Sequence, residues 1–186
     1  MAVQLTKRLF TVHDYHRMAD AGILSEDDRV ELIEGEILAM TPIGPPHGAA
    51  VDRATRAMVT ITGDSAIVRV QGSVGLNEYN EPQPDIVLLR PREDFYATRL
   101  PGPSDILLIV EIAQSSLEYD RTIKARIYAE TGIREYWVAD LNHDCLFAFA
   151  DLRTGAYRAV RELQRGESIA PELLPDARIQ IDALLA

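Results

Sequence analysis

Lysine is nearly absent from this chain. Of nineteen cationic side chains only two are lysines, and arginine supplies the other seventeen. Cysteine is scarcer still: Cys145 stands alone, which excludes an internal disulfide and favours a reducing, cytoplasmic setting. Long apolar runs are missing too. A segment such as Ile106 to Val110 is far too short to cross a bilayer, and the opening MAVQLTKRLF lacks the apolar core of an export signal. No membrane partner is expected. Nor is there an excess of positive charge: the formal net charge is -10. Broad attraction to nucleic acid comes from lysine and arginine at phosphates, so this balance speaks against it. It does not speak against a nuclease, because an acidic metal site recruits its cation first and arginines can still gather on one face. With four Phe, seven Tyr and one Trp, the chain also lacks the aromatic-rich cleft expected of a carboxylate pair acting on a glycoside.

What remains is the composition of an ordinary soluble globular protein. The 186 residues suit one domain, 1–186, that can bury a core without disulfides or a structural metal. Thr11-Val12-His13-Asp14 reads as a capping box, and Gly22 closes the short helix that follows. After the acidic turn Ser25-Glu26-Asp27-Asp28, Val30 to Leu38 reads as two strands around Glu34-Gly35. The loop Pro42 to Pro46 separates them from a helix running from about His47 to Thr62, which Gly63 ends. Ala66 to Val70 is a strand, and Gly72 to Leu76 a further extended piece. Two prolines, Pro82 and Pro84, force an irregular approach to the buried strand Asp85 to Leu89.

A charged, proline-rich stretch from Arg90 to Ser104 leads into Asp105 to Ala113. So continuous an apolar run suits a central strand covered on both faces. Asp120 is expected to cap a helix that runs to Glu130 and stops at Gly132. Strands at Arg134 to Ala139, Cys145 to Ala150 and Tyr157 to Val160 complete the order, and Cys145 reads as a strand residue with no group placed to activate it. There is no repeat, low-complexity tract or linker. The expected fold class is mixed α/β: a mixed sheet flanked by helices.

Three side chains stand out. Asp85 sits at the mouth of a buried strand directly after Pro84, where a carboxylate is expensive to desolvate unless a partner or cation compensates it. Its plain alternative is a solvent-facing turn aspartate. Glu111 breaks an apolar strand, where an ionised glutamate needs an arginine, a metal or a raised pKa. Lys124 lies one turn past Asp120 on the following helix, from which its compact ammonium could reach back; its alternative is a solvated surface lysine. If the strands of Asp85 and Glu111 are neighbours, both carboxylates can converge on one hard cation.

At these positions the sequence resembles a known group. Pro84-Asp85 followed by Glu111 is similar to the PD-(D/E)XK nuclease superfamily, and the wider pattern resembles the Uma family of restriction-endonuclease-like proteins. The likeness covers nearly the whole chain: the hairpin Glu31 to Glu36, His47-Gly48, Val70-Gln71 and Glu81 to Asp85. It continues through Glu111-Ile112, Ser115-Ser116, Asp120, Lys124, Tyr128, Gly132 and Tyr136 to Asp140. In order and at this spacing they form a strong family signal.

The resemblance implies a restriction-endonuclease-like sheet and a phosphodiester hydrolase acting on nucleic acid, DNA foremost. Asp85, Glu111 and the backbone carbonyl of Ile112 are the metal ligands it implies, for Mg²⁺ or Mn²⁺. The superfamily's usual lysine lies two residues after the second acid, where this chain has Ala113, so Lys124 is the residue expected to restore the set. Glu31 is a candidate third acid or a solvent-facing hairpin glutamate. His47 is a candidate ligand contact or an exposed helix-end histidine, and Gln71 a candidate for the same cleft. The competing expectation is a degenerate nuclease fold that binds nucleic acid or protein without turnover. The apolar run Ile179 to Leu185 and the exposed sheet edges make a homodimer reasonable.

Overall fold

Thr11 starts the first helix as its spacing predicts. The Thr11 hydroxyl accepts from the Asp14 N–H and the Asp14 carboxylate accepts from the Thr11 N–H, both at 3.1 Å, so two otherwise unpaired donors are satisfied. This computed structural model describes residues 6–185 except Glu26 and Ile43. The opening pentapeptide, one member of the expected acidic turn, one member of the proline loop and the final alanine lie outside the described residues.

Helix α1 (Val12–Asp20) leans on the hairpin of β1 (Val30–Ile33) and β2 (Glu36–Ala39), where the Tyr15 hydroxyl donates to the Val30 carbonyl at 3.1 Å. The hairpin turn takes positive φ at both Glu34 and Gly35, the pairing that matches strand twist in a two-residue loop. Glycine is needed at the second position for another reason as well: a Cβ there would stand 2.7 Å from the Leu9 Cβ.

Helix α2 (Pro45–Thr62) begins two residues before the expected start. Proline is tolerated in the first helical turn because the N–H groups it lacks have no partner there anyway. The earlier start places His47 inside the first turn rather than at the mouth of the helix. Ala50, Val51, Ala54 and Met58 form the buried stripe.

The central sheet contains β3 (Ile67–Val70), β4 (Ile86–Leu89), β5 (Ile106–Ala113), β6 (Tyr136–Asp140), β7 (Cys145–Arg153) and β8 (Ala156–Gln164), in that spatial order. Only β5 and β6 run parallel; every other neighbouring pair is antiparallel. Strands β7 and β8 extend further than expected, and their turn shrinks to Thr154-Gly155, both at positive φ. Residues Gly72 to Leu76 do not become a strand. Gln71 turns at positive φ, and the chain opposite contains Pro82 and Pro84, which cannot donate to a ladder. What survives is a pair of bonds, Val74 N–H to Pro82 and Leu76 N–H to Asn80, each 3.0 Å.

Strand β5 is buried along its whole length. Leu108, Val110 and Ile112 face α2 and the C-terminal residues, while Ile109 and Ala113 face the opposite layer with Ile127 and Tyr128. That second layer is the crossover between β5 and β6. It comprises α3 (Leu117–Tyr119), a widened π-type segment over Asp120–Lys124, and α4 (Ala125–Glu130). Asp120 therefore does not cap this helix. The helix starts before it, and the Ser116 hydroxyl donates to the Asp120 carboxylate at 2.5 Å, drawing it inward instead. Cys145 is buried on β7, and burial pushes its thiol pKa up, as suits a strand residue without a nucleophilic role.

After β8 come β9 (Ser168–Ile169) and β10 (Ile179–Gln180), a short antiparallel pair. Ile179, Ile181, Leu184 and Leu185 are buried in the core layer that contains α2. The apolar C-terminal run is thus spent inside the chain and offers no face to a second copy; only the sheet edges remain of the argument for a homodimer. Among the described residues no helix is long and apolar enough to cross a membrane.

Because Ile181 is fully buried in that layer, Ile181→Ala should lower the unfolding free energy by about 2–4 kcal/mol in urea. The loss should not depend on protein concentration. A concentration-dependent midpoint would place the run in an intermolecular interface.

Candidate active site

Antiparallel pairing of β4 with β5 sets Ile86 opposite Val110, so Asp85, one residue upstream, arrives beside Glu111 and Ile112. The backbone closes the arrangement from both sides. The Ile112 N–H donates to Asp85 Oδ2 at 2.9 Å, and the Asp85 N–H donates to Glu111 Oε2 at 3.3 Å. Strand alternation then divides the surroundings. Ile112 points toward α2, whose His47 places Nε2 3.1 Å from Asp85 Oδ2. Glu111 points toward the crossover helix, where the Lys124 ammonium donates to Oε1 at 2.9 Å and the Tyr128 hydroxyl donates to the same oxygen at 3.0 Å.

Glu31 closes the site from the hairpin. It is buried, its Oε2 accepts from the Gln83 N–H at 3.2 Å, and it stands 3.6 Å from the Lys124 ammonium. The solvent-facing alternative for this glutamate does not apply. His47 is likewise not a simple exposed histidine, and Gln71 reaches Asp85, its Nε2 lying 3.4 Å from Oδ1. Glu31 and His47 therefore gather with Asp85, Glu111, Ile112 and Lys124 around a cleft of about 390 Å³, and Gln71 touches Asp85 from outside its lining.

The sequence assigns no site role to Tyr128 or Tyr119, and to the buried Asp120 only that of a helix cap. For Tyr128 the signal was available: Asp120, Lys124 and Tyr128 stand four residues apart, the spacing that stacks side chains on one helix face. Tyr119 and Asp120 depend on the helix beginning at Leu117, which local capping chemistry did not reveal.

The electrostatics are those of an acidic cluster around one ammonium. Burial, the largest influence, pushes the Glu111 carboxyl up, and Lys124 pulls it back toward the ionised form. Burial works against the charged Lys124, but Glu111, Glu31 and Asp120 outweigh it and raise the ammonium pKa, so the lysine stays protonated. Asp120 is raised to about 6, mainly by burial. His47 is raised chiefly by its hydrogen bond to Asp85, against its partial burial, with the adjacent Ile112 carbonyl adding to the effect.

Asp85, Glu111 and the Ile112 carbonyl offer hard oxygen donors, and Asp85 Oδ1 and Glu111 Oε2 carry only the long contacts given above. Two carboxylates with water and phosphate oxygens make a fitting set for Mg²⁺, which seldom takes an all-protein cage. Among the described residues no three His, Cys, Asp or Glu side chains are grouped to hold a metal ion. The fit is therefore of the two-carboxylate kind.

A six-stranded mixed sheet flanked by helices, with its acidic cleft at the mouth of β4, defines a restriction-endonuclease-like nuclease fold. The family described as "Uma2: Putative restriction endonuclease" matches residues 12–182, and the chain belongs to that family. The chain also superimposes on the crystal structure of a "putative nuclease belonging to DUF820" from Anabaena variabilis, with a TM-score of 0.74. That match covers 94% of this chain and 97% of the other at 15% sequence identity, a likeness of fold. No curated protein sequence matches the chain.

Asp120 supplies a pH test. Its folded pKa, about 6, lies above the ordinary aspartate value of 3.8. The stability it contributes is therefore full below about pH 4 and lost as pH rises through about 6. Asp120→Asn removes that titration, so the variant should gain on the parent between pH 4 and pH 8 by on the order of 2 kcal/mol. Parallel pH–stability curves for parent and variant would show that Asp120 is not held in this way.

Proposed function

We propose that this chain is a metal-dependent endonuclease that hydrolyses phosphodiester bonds of nucleic acid, with DNA as the expected substrate. The observation that carries the reading is the Lys124 ammonium, 2.9 Å from Glu111. It comes from the crossover helix and occupies the neighbourhood that Ala113 leaves without a cation. A lysine held among Glu111, Glu31 and Asp120 stays charged and in place, which a catalytic amine needs and a surface lysine does not.

Asp85, Glu111 and the Ile112 carbonyl would hold Mg²⁺ or Mn²⁺. Such an ion, when bound, polarises the scissile phosphate and lowers the pKa of a bound water. The remaining work falls to the chain itself. Lys124 orients the attacking water or offsets negative charge gathering on the phosphate. Tyr128 and Lys124 together fix Oε1 of Glu111, which leaves Oε2 directed toward Asp85. His47 and Gln71 hold the Asp85 carboxylate from its other side. Glu31 keeps Lys124 from swinging out of the site.

The test is incubation with single-stranded, duplex and branched DNA and with RNA, in Mg²⁺ or Mn²⁺, beside the double variant Asp85→Asn/Glu111→Gln. Cleavage should require the cation and vanish in the double variant; cleavage that survives it would falsify the assignment. Lys124→Met should lower kcat by about a hundredfold or more. Binding without cutting, together with a Lys124→Met variant that behaves as the parent does, would instead identify a degenerate nuclease acting as a binding module.

Tyr128→Phe separates positioning from folding. Loss of a hydrogen bond that orients a ligand should weaken Mn²⁺ binding, followed by electron paramagnetic resonance, by about ten- to a hundredfold. Mn²⁺ binding equal to that of the parent would remove Tyr128 from the site.

A further inference from the structure

The floor of the cleft repels the substrate that the proposed function requires, and among the described residues its lysine, Lys124, is already paired with Glu111. Arg29 also lines the cleft. Its backbone is fixed by the hairpin ladder, where its carbonyl accepts from the Met40 N–H at 2.8 Å. Two residues on, Glu31 points at Lys124, and strand alternation places Arg29 on the same face about 7 Å away. Unlike Lys124, the Arg29 guanidinium has no ion pair or side-chain hydrogen bond among the described residues.

A second donor lies on the same wall. Tyr119 lines the cleft, and its hydroxyl is buried without a hydrogen-bond partner among the described residues. A buried, unpaired hydroxyl is unfavourable and calls for explanation. Burial first, and then the neighbouring Glu31, pushes its pKa up to about 12, so it remains a neutral donor at any physiological pH. An unengaged guanidinium and a buried, unengaged phenol thus line the same cleft as Glu31 and the two carboxylates.

We infer that Arg29 and Tyr119 form a phosphate subsite that receives a backbone phosphate of the nucleic acid beside the scissile one. This deepens the nuclease reading and rests on it. The guanidinium supplies charge and a forked pair of donors that suit phosphate geometry, and the phenol supplies one more donor at a fixed point. Both contact the backbone rather than a base, so they position the strand without reading its sequence.

The experiment is fluorescence anisotropy of labelled duplex and single-stranded DNA over a range of salt, with Ca²⁺ as the divalent cation. It compares the full chain with Arg29→Ala, Tyr119→Phe and, as an exposed control on β8, Arg158→Ala. Arg29→Ala should bind about tenfold more weakly and lower the salt slope by about one. Tyr119→Phe should bind about tenfold more weakly while keeping the slope. In cleavage assays both should raise KM and leave kcat within about twofold, as expected when uniform binding is lost. Variants that bind as the parent does, or an Arg158→Ala loss equal to that of Arg29→Ala, would overturn the subsite and leave the nuclease reading standing. A parent chain that binds neither DNA would overturn both.

Discussion

A buried ion pair between Lys124 and Glu111 is the constraint around which the structure is arranged. Glu111 lies within a strand covered on both faces, where an isolated carboxylate would be severely destabilising. Lys124 is equally buried, and its four-carbon stem spans the distance between helix and strand that no shorter cation could bridge. Each charge is tolerable only because of the other. Glu31 must then come in from the hairpin and Tyr128 from the next turn of the helix, because the remaining lone pairs and protons need partners. The hairpin, the central strand and the crossover are thereby tied at one point.

Such a pair is weak evidence for stability. Desolvation of two ions commonly cancels their attraction, and apolar residues of similar volume often do better. Two further acids, Asp85 and Asp120, make the balance worse still. A chain that keeps four carboxylates around one ammonium is carrying a local cost, and costs of this kind concentrate where structure serves chemistry. The lysine preference of the site has the same origin. A guanidinium is planar and forked, whereas the narrow space between Glu111 and Glu31 accepts a compact point charge.

Much of this was legible in the sequence. The apolar run through Ile112 announced a central strand, and Glu111 within it announced a partner. The two prolines before Asp85 announced a forced approach, and the scarcity of lysine drew attention to Lys124. What local pattern could not give was the environment of residues whose surroundings come from distant chain. Glu31 looks like the solvent-facing member of a hairpin strand and His47 like an exposed helix end, and only the folding of the hairpin and α2 against β4 and β5 buries the first and half-buries the second. Asp120 looked like a cap because aspartate is so often one. It lies inside the helix because Ser116 starts the turn earlier. The C-terminal run was read as a spare apolar surface, since nothing in a linear pattern says that α2 is waiting to be covered.

The π-type widening between Asp120 and Lys124 bears on how such a site is assembled. Strand β5 is clamped between β4 and β6 and cannot shift without breaking two ladders. The crossover is held by side-chain contacts and by the Tyr136 hydroxyl, which donates to the Asp120 carbonyl at 3.1 Å, and it presents Asp120, Lys124 and Tyr128 as a single row. Acid, amine and phenol are therefore mounted on one rod. The widened turn lies between the acid and the amine, so it sets how Asp120 and Lys124 are placed relative to Glu111.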